Sequence, residues 1–461
     1  MARTEVKKLD MTIGNPVKVL ITFALPIFIG QLFQQFYNIA DIKIIGMELG
    51  DDAIAAMNSI ASVYGILIGI ANGLNNGCAI TVARMYGAKN GTMLRRTLAH
   101  MIVVNFAAVG LFTSIGLFFT DLLMEIMKVP ASLYGDARVY LTFILCGMVT
   151  TIAYNMCAAV LRSVGDSRTP LYFLIFSSIV NIGLDCVFVM VLDWGVGGAA
   201  AATIIAQALS AALCFVYIYR KVPELHISSE DFVFDGALLR ELLAMGFSMG
   251  LITSLVSFGS AAVSRANNAL SEAGWGNEVL TANSSARRID GLIMMPMSTL
   301  GTALSTFVSQ NRGAGNFERI SKGIRSALLI GGGWCAMGIA VIYAMGGFLV
   351  QLITDTENPE IIKYAVYYMR INAPFFLALM VLLIFRSVLQ GFGKKLVPIV
   401  TAAAELVLKF FAAAVLVPHF GFLGICVAEP AIWLITGVFV AIVYVHNMKR
   451  FKYEIKERQA I

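Results

Sequence analysis

The chain has 461 residues, 13% of them charged and 58% hydrophobic, and a formal net charge of +6. Soluble domains carry about twice that charged fraction, so most of the surface is built for lipid, which excludes an ordinary soluble globular protein. At about 20 residues per span, the length accommodates roughly twelve transmembrane helices.

Met1 to Lys18 is polar and basic, with no small-residue cleavage site before the first apolar run, so no cleavable signal is expected. Apolar runs predict helices over 17–45, 53–86, 94–119, 134–161, 169–192 and 196–219 in the first half. The second half predicts 238–269, 279–308, 320–349, 361–389, 396–417 and 422–446. Asn15-Pro16 supplies a capping side chain and a first-turn proline, and Pro26 inside the same helix is expected to kink it. Gln34, Tyr37, Asn38 and Asp41 then recur at i, i+3, i+4 and i+7, one polar face on a helix otherwise made of Phe, Ile and Leu. Gly65, Gly69, Gly73 and Gly77 place a small residue at every fourth position of the second helix, a packing feature.

Asn181 and Asp185 share a face of the fifth helix. At 1.5 Å per residue, Asp185 lies about 24 Å into that helix and Thr203 about 12 Å into the returning sixth. Their levels nearly meet in a core about 30 Å thick, and Asp41 reaches a similar level. A carboxylate at such depth costs about 2.5–3.5 kcal/mol on insertion scales, so each requires a reason. Taken singly, Asp41 also suits the outer headgroups, and Asn181 or Thr203 an interhelical hydrogen bond. Together they predict an ion-coupling site, because two nearby carboxylates in a low dielectric cannot both ionise cheaply and can hold a proton. The same oxygens suit Na⁺.

The stretch 220–237 is the longest polar segment and reads as a cytoplasmic linker between an N-terminal lobe (1–219) and a C-terminal lobe (238–461) with a basic tail. The second half carries Arg265, Glu405, Lys409 and Glu429 at membrane depth; Glu405 and Lys409 stand at i, i+4, spaced to neutralise each other. Met294, Met295 and Met297 read as packing.

The halves repeat. Gly87-Ala88-Lys89-Asn90 is echoed by Gly313-Ala314-Gly315-Asn316, and Leu161-Arg162-Ser163-Val164-Gly165 by Leu389-Gln390-Gly391-Phe392-Gly393, at offsets of 226 to 228 residues. Glu429 stands where this offset places Thr203, which makes it a second-rank candidate together with Arg265. Such duplication is the plan of a carrier that alternates access.

With the N-terminus in the cytoplasm, about 25 of the 34 Lys and Arg residues fall on that side, among them Arg3, Lys7, Lys8, Arg84, Arg162, Arg312, Lys449, Arg450, Lys452, Lys456 and Arg458. The opposite loops carry acids such as Glu48, Asp51, Asp121, Asp355 and Glu357. Both termini are therefore expected in the cytoplasm, and the basic excess is topological, which disfavours nucleic-acid binding. The seven cysteines lie singly in apolar stretches, without metal or disulfide spacing. Gly246-Phe247-Ser248-Met249-Gly250 matches a nucleophile-elbow pattern, but in a helix rather than a strand–turn–helix. No GxxxxGK[ST] occurs, so no nucleotide is expected and energy must come from an ion gradient or a partner.

These residues resemble the multidrug and toxic compound extrusion (MATE) family of cation-coupled antiporters. The likeness, over about residues 14 to 447, rests on Asn38-x-x-Asp41 followed by Gly46, Ala83-Arg84-x-x-Gly87-Ala88 and Leu161-Arg162-Ser163-x-Gly165-Asp166-x-Arg168-Thr169-Pro170. Asn181-x-x-x-Asp185 and Gln310-Asn311-x-Gly313-Ala314-Gly315-Asn316 complete it. The resemblance implies an all-α integral membrane fold, twelve transmembrane helices in two six-helix lobes related by a pseudo-twofold. It implies a cation site at Asp41, Asn181, Asp185 and Thr203, a bending helix at Pro26, and a substrate chamber lined by Gln34, Tyr37, Asn38, Tyr140 and Asn155. A sodium-coupled branch of the family has an acid in helix 10; Phe375 to Leu383 contains none, which favours the N-lobe arrangement.

The function expected is export of amphipathic, cationic organic compounds or drugs in exchange for H⁺, with Na⁺ second. The protein is expected to be no enzyme, to need no cofactor and to act as a monomer in the cell membrane, surrounded by lipid. The alternative is a flippase for lipid-linked cell-wall or polysaccharide precursors, for which Arg265, Arg287 and Arg288 are the basic candidates.

Overall fold

A computed structural model describes residues 9–270, 275–354 and 356–460, the side chains at 62–64 and 448–460 excepted. Arg3, Lys7, Lys8 and Asp355, and the side chains of Lys449, Arg450, Lys452, Lys456 and Arg458, thus lie outside the described residues. The regular elements among the described residues are all helical, and twelve segments are long and apolar enough to cross a membrane.

Helix α1 (Pro16–Gly87) contains the first two predicted helices end to end. Its non-helical residue is Gly50 (φ 79°, ψ −175°), in a region of backbone space essentially reserved to glycine. A β-carbon on Gly46 would stand 2.6 Å from Ile54 Cδ1, so the two arms close tightly around the break. Asn15 Oδ1 accepts the Val17 N–H at 2.9 Å, the predicted cap, and the backbone stays helical through Pro26.

Then follow α2 (Gly91–Phe118), the short α3 (Thr120–Ile126), α4 (Tyr134–Ser163), α5 (Arg168–Asp185) and α6 (Gly195–Lys221). Beyond lie α7 (Gly236–Leu270), α8 (Asn277–Gly313), α9 (Phe317–Thr354), α10 (Pro359–Asn372), α11 (Phe376–Gly391), α12 (Leu396–Phe411), α13 (Val417–Phe420) and α14 (Phe422–Ala460). The helix expected over 361–389 is two, α10 and α11, joined by a 3₁₀ turn at Ala373–Phe375. Pro374 in that turn has no N–H to continue the α-helical ladder. Helix α5 runs on as a π-helix, Cys186–Val191, and α12 does the same at Ala412–Leu416.

The chain forms two compact units. One contains the described residues up to Ile13 together with Thr22–Gly250 and Ser309–Gly315. The other contains Gly14–Ile21, Leu251–Val308 and the described residues from Asn316 onward. In the first unit α6 packs on α4 and α5, and α2 on α4. The glycine series on the second arm of α1 serves close packing at two of its positions. A β-carbon on Gly73 would stand 2.4 Å from Gly250, and one on Gly77 2.6 Å from Gly246. This explains the helical Gly246–Gly250 motif: its glycines admit the backbone of α1. Gly77→Val should therefore cost about 2–3 kcal/mol by overpacking, read as a lower melting temperature in detergent.

The polar stretch 220–237 lies inside the first unit and is fastened to α2. Leu225 and Leu238 join a buried cluster with Leu94, Leu98 and Met101. The Asp235 N–H donates to His100 Nε2 at 3.0 Å. The Asp231 carboxyl accepts the Ser228 N–H at 2.9 Å and pairs with Arg95 at 3.4 Å. The Ser228 backbone bond, helped by Arg95, holds the Asp231 carboxyl below the usual aspartate range. A depressed folded value stabilises above the unfolded one, about 3.9, and that contribution is lost as pH falls through the folded value. Asp231→Asn should thus speed proteolysis within 220–237 at neutral pH, with the difference closing as pH falls through and below the usual aspartate range.

In the second unit the expected Glu405–Lys409 neutralisation does not occur. Glu405 bonds Arg386 on α11, and Lys409 Nζ lies 3.2 Å from Glu429 Oε1 on α14. Both residues face neighbouring helices from the buried side of α12, where each meets a directed partner.

Candidate cation site and polar cavity

Two helices distant in sequence build the acidic site. A β-carbon on Gly30 would lie 3.5 Å from the side chains of Leu171 and Leu174, so α1 meets α5 there closely. At 1.5 Å per residue, Asp41 is about 16 Å beyond Gly30, and Asp185 about 17–21 Å beyond that contact on α5. Two parallel helices then deliver both carboxyls to one level, where each lies in the other's electrostatic surroundings. Asp185 is fully enclosed, and neither of its oxygens has a hydrogen-bond partner; Asp41 Oδ1 is likewise enclosed and unpartnered. Neither acid belongs to any ion pair among the described residues.

Asn181, one turn before Asp185, is buried with both amide atoms unpartnered. It also forms part of the wall of a 220 Å³ cavity within the first unit. Of the residues expected to line a chamber, Gln34, Tyr37, Asn38 and Asn155 line this cavity, and Thr203 of the expected cation site does so too. Asp41 and Asp185 are not among its walls, and Tyr140 packs instead against two apolar clusters. Pro26 is buried on α1, one turn before Gly30.

Sequence reasoning passed over several wall residues: Asn72, Thr151, Tyr154, Ser177, Ser178, Gln207 and Ser210. Their signal was periodicity. Thr203, Gln207 and Ser210 stand at i, i+4 and i+7 on α6, and Thr151, Tyr154 and Asn155 at i, i+3 and i+4 on α4. Among the described residues no charged side chain lines the cavity; its walls are amides, hydroxyls, Ile68, Leu174 and Ala206. Such walls hydrogen-bond ligands or water and leave net charge to the adjoining acid pair.

The second-rank candidates lie elsewhere. Glu429 is buried in the second unit beside Lys409 (3.2 Å) and Arg287 (3.9 Å), and Arg265 is exposed.

The family model MatE matches residues 26–187 and 269–415. The "Probable multidrug resistance protein YpnP" of Bacillus subtilis is 27% identical over 392 residues, covering 85% of this chain and 86% of that protein. The "FAD transporter" of Shewanella oneidensis is 22% identical over 436 residues, covering 91% and 92%. Among solved structures, "Crystal structure of MATE in the bent conformation" superposes with a TM-score of 0.90 at 21% identity, covering 98% of this chain and 99% of the other.

Proposed function

Because the chain belongs to the MatE family, whose members are transporters and not enzymes, we propose that it exports small organic compounds in exchange for a cation. The carrying observation is an acid pair facing into one electrostatic environment: Asp185 is fully enclosed with both oxygens unpartnered, Asp41 has its Oδ1 enclosed and unpartnered, and among the described residues no basic side chain pairs with either. Two negative charges about 4 Å apart repel by about 4 kcal/mol at an effective dielectric of 20. One proton shared between them removes that repulsion, so H⁺ is the first-choice coupling ion. Na⁺ is the second, with Asp41, Asn181, Asp185 and Thr203 as its oxygen donors.

Substrate enters this reading through the neighbouring cavity. The ionised pair attracts a cationic compound while Gln34, Tyr37, Asn38 and Asn155 engage its polar groups, and a proton on the pair cancels the attraction. Cargo and proton thereby oppose one another, as exchange requires. Drug export accords with relatives named for multidrug resistance. The flippase alternative has weaker support, since Arg287, one of its basic candidates, is paired with Glu429. We assign the lobes as 1–219 and 238–461 about the 220–237 segment. The ends bearing Arg84, Arg162 and Arg312 and both termini are assigned to the cytoplasm, and a single chain to the working unit.

Reconstituted vesicles test this directly. An imposed inward proton gradient should drive export of an aromatic cationic dye, and an Na⁺ gradient less. If neither gradient moves the dye, and Asp41→Asn changes no flux, the proposal fails.

A further inference from the structure

The repeat offset carries the first-half acidic site onto particular residues of the second half. Asn267 stands 226 residues after Asp41, Glu429 226 after Thr203, and Lys409 228 after Asn181. The backbone repeats as well: the π-helix that starts at Cys186, directly after Asp185, is matched 226 residues on by the one that starts at Ala412, three residues past Lys409. The acids are not repeated. An amide replaces Asp41, and the residues aligned with Asp185 fall in the apolar Phe411–Ala413.

We infer that Asn267, Lys409 and Glu429 are the second half's version of the cation site, and that the Lys409 ammonium sits in it as a tethered cation. Lys409 Nζ lies 3.2 Å from Glu429 Oε1 and 3.1 Å from Ser260 Oγ, two turns before Asn267 on α7. The Lys409 and Glu429 side chains are 6% and 8% exposed, so the ammonium is enclosed in oxygen-bearing surroundings as a bound ion would be. Arg287 approaches Glu429 at 3.9 Å, and Asp290, buried three residues further along α8, lies in the same electrostatic surroundings along with Tyr368 of α10. Glu429 thus faces two basic side chains, Lys409 being the nearer, while Glu405, one turn earlier on α12, pairs separately with Arg386. In the first half, by contrast, no basic side chain among the described residues pairs with Asp41 or Asp185. Removing the Lys409 charge leaves room for one monovalent cation. In the native chain this site is permanently filled, so exchange with solution ions is confined to the first half.

The stoichiometry in this inference rests on the proposed first-half site, so the test begins from a background without it. Purified D41N/D185N protein is assayed at pH 8 for radiolabelled Na⁺ binding, and by titration from pH 6 to 9 for protons held. This background should bind no Na⁺. Adding K409M should create about one monovalent site per chain, Na⁺ or H⁺, which K409M/E429Q loses and K409R never gains. Monodisperse gel filtration qualifies each variant, and K409Q replaces K409M if the latter aggregates. A Glu429-dependent cation site in the D41N/D185N background, or no gained cation in a folded K409M or K409Q chain, overturns the inference. Failure of the first-half reading shows differently, as native protein and D41N/D185N holding the same number of cations.

Discussion

Asp185→Asn is expected to lower gradient-driven export at least about 100-fold while the protein remains folded. An amide has the size of the carboxyl it replaces but cannot exchange charge, so loading a proton no longer opposes loading cargo. Two like charges about 4 Å apart repel by about 4 kcal/mol at an effective dielectric of 20, and each 1.4 kcal/mol is a factor of ten. Losing most of that repulsion removes two decades or more of coupling. The stability readout runs the other way. Asp185 is fully enclosed and its oxygens have no partner, so the neutral variant should melt at or above the native temperature at pH 8. Lost export with unchanged or raised melting identifies a coupling group; lost export with a collapsed melting temperature would reassign Asp185 to the fold.

The second large effect concerns Glu429. It faces two cations, Lys409 at 3.2 Å and Arg287 at 3.9 Å, inside the second unit. Glu429→Gln leaves a buried ammonium without its carboxylate, and breaking a buried pair in this way costs about 3–5 kcal/mol. Replacing both partners removes the stranded charge, so E429Q/K409M should recover most of the loss. A thermal-denaturation cycle over the four proteins measures the coupling. Additive losses would mean that the two side chains stabilise the fold independently.

The acid pair was legible in the sequence because its components are local. Asp41 ends a polar face with i, i+3, i+4, i+7 spacing, Asp185 follows Asn181 by one turn, and helical rise alone puts them near one level. The cavity was half legible. Residues from α1 were found because their face is polar against an apolar background, whereas the serines and amides of α5 and α6 are small or scattered enough to pass as packing. Tyr140 shows the converse: its position is occupied by apolar contacts from neighbouring segments, which no spacing on α4 reveals.

Twelve apolar spans, the internal duplication and the carboxylates at membrane depth were determined by the amino-acid sequence alone, because hydropathy, repeat offset and helical period are properties of contiguous residues. Only the tertiary structure decided that Lys409 belongs to Glu429 and Glu405 to Arg386, and that Gly246 and Gly250 serve the glycines of α1. The i, i+4 spacing of Glu405 and Lys409 permitted a bond between them. Buried charges take the partner that closes the better-directed bond, and which partner is presented depends on helix faces brought together from distant parts of the chain.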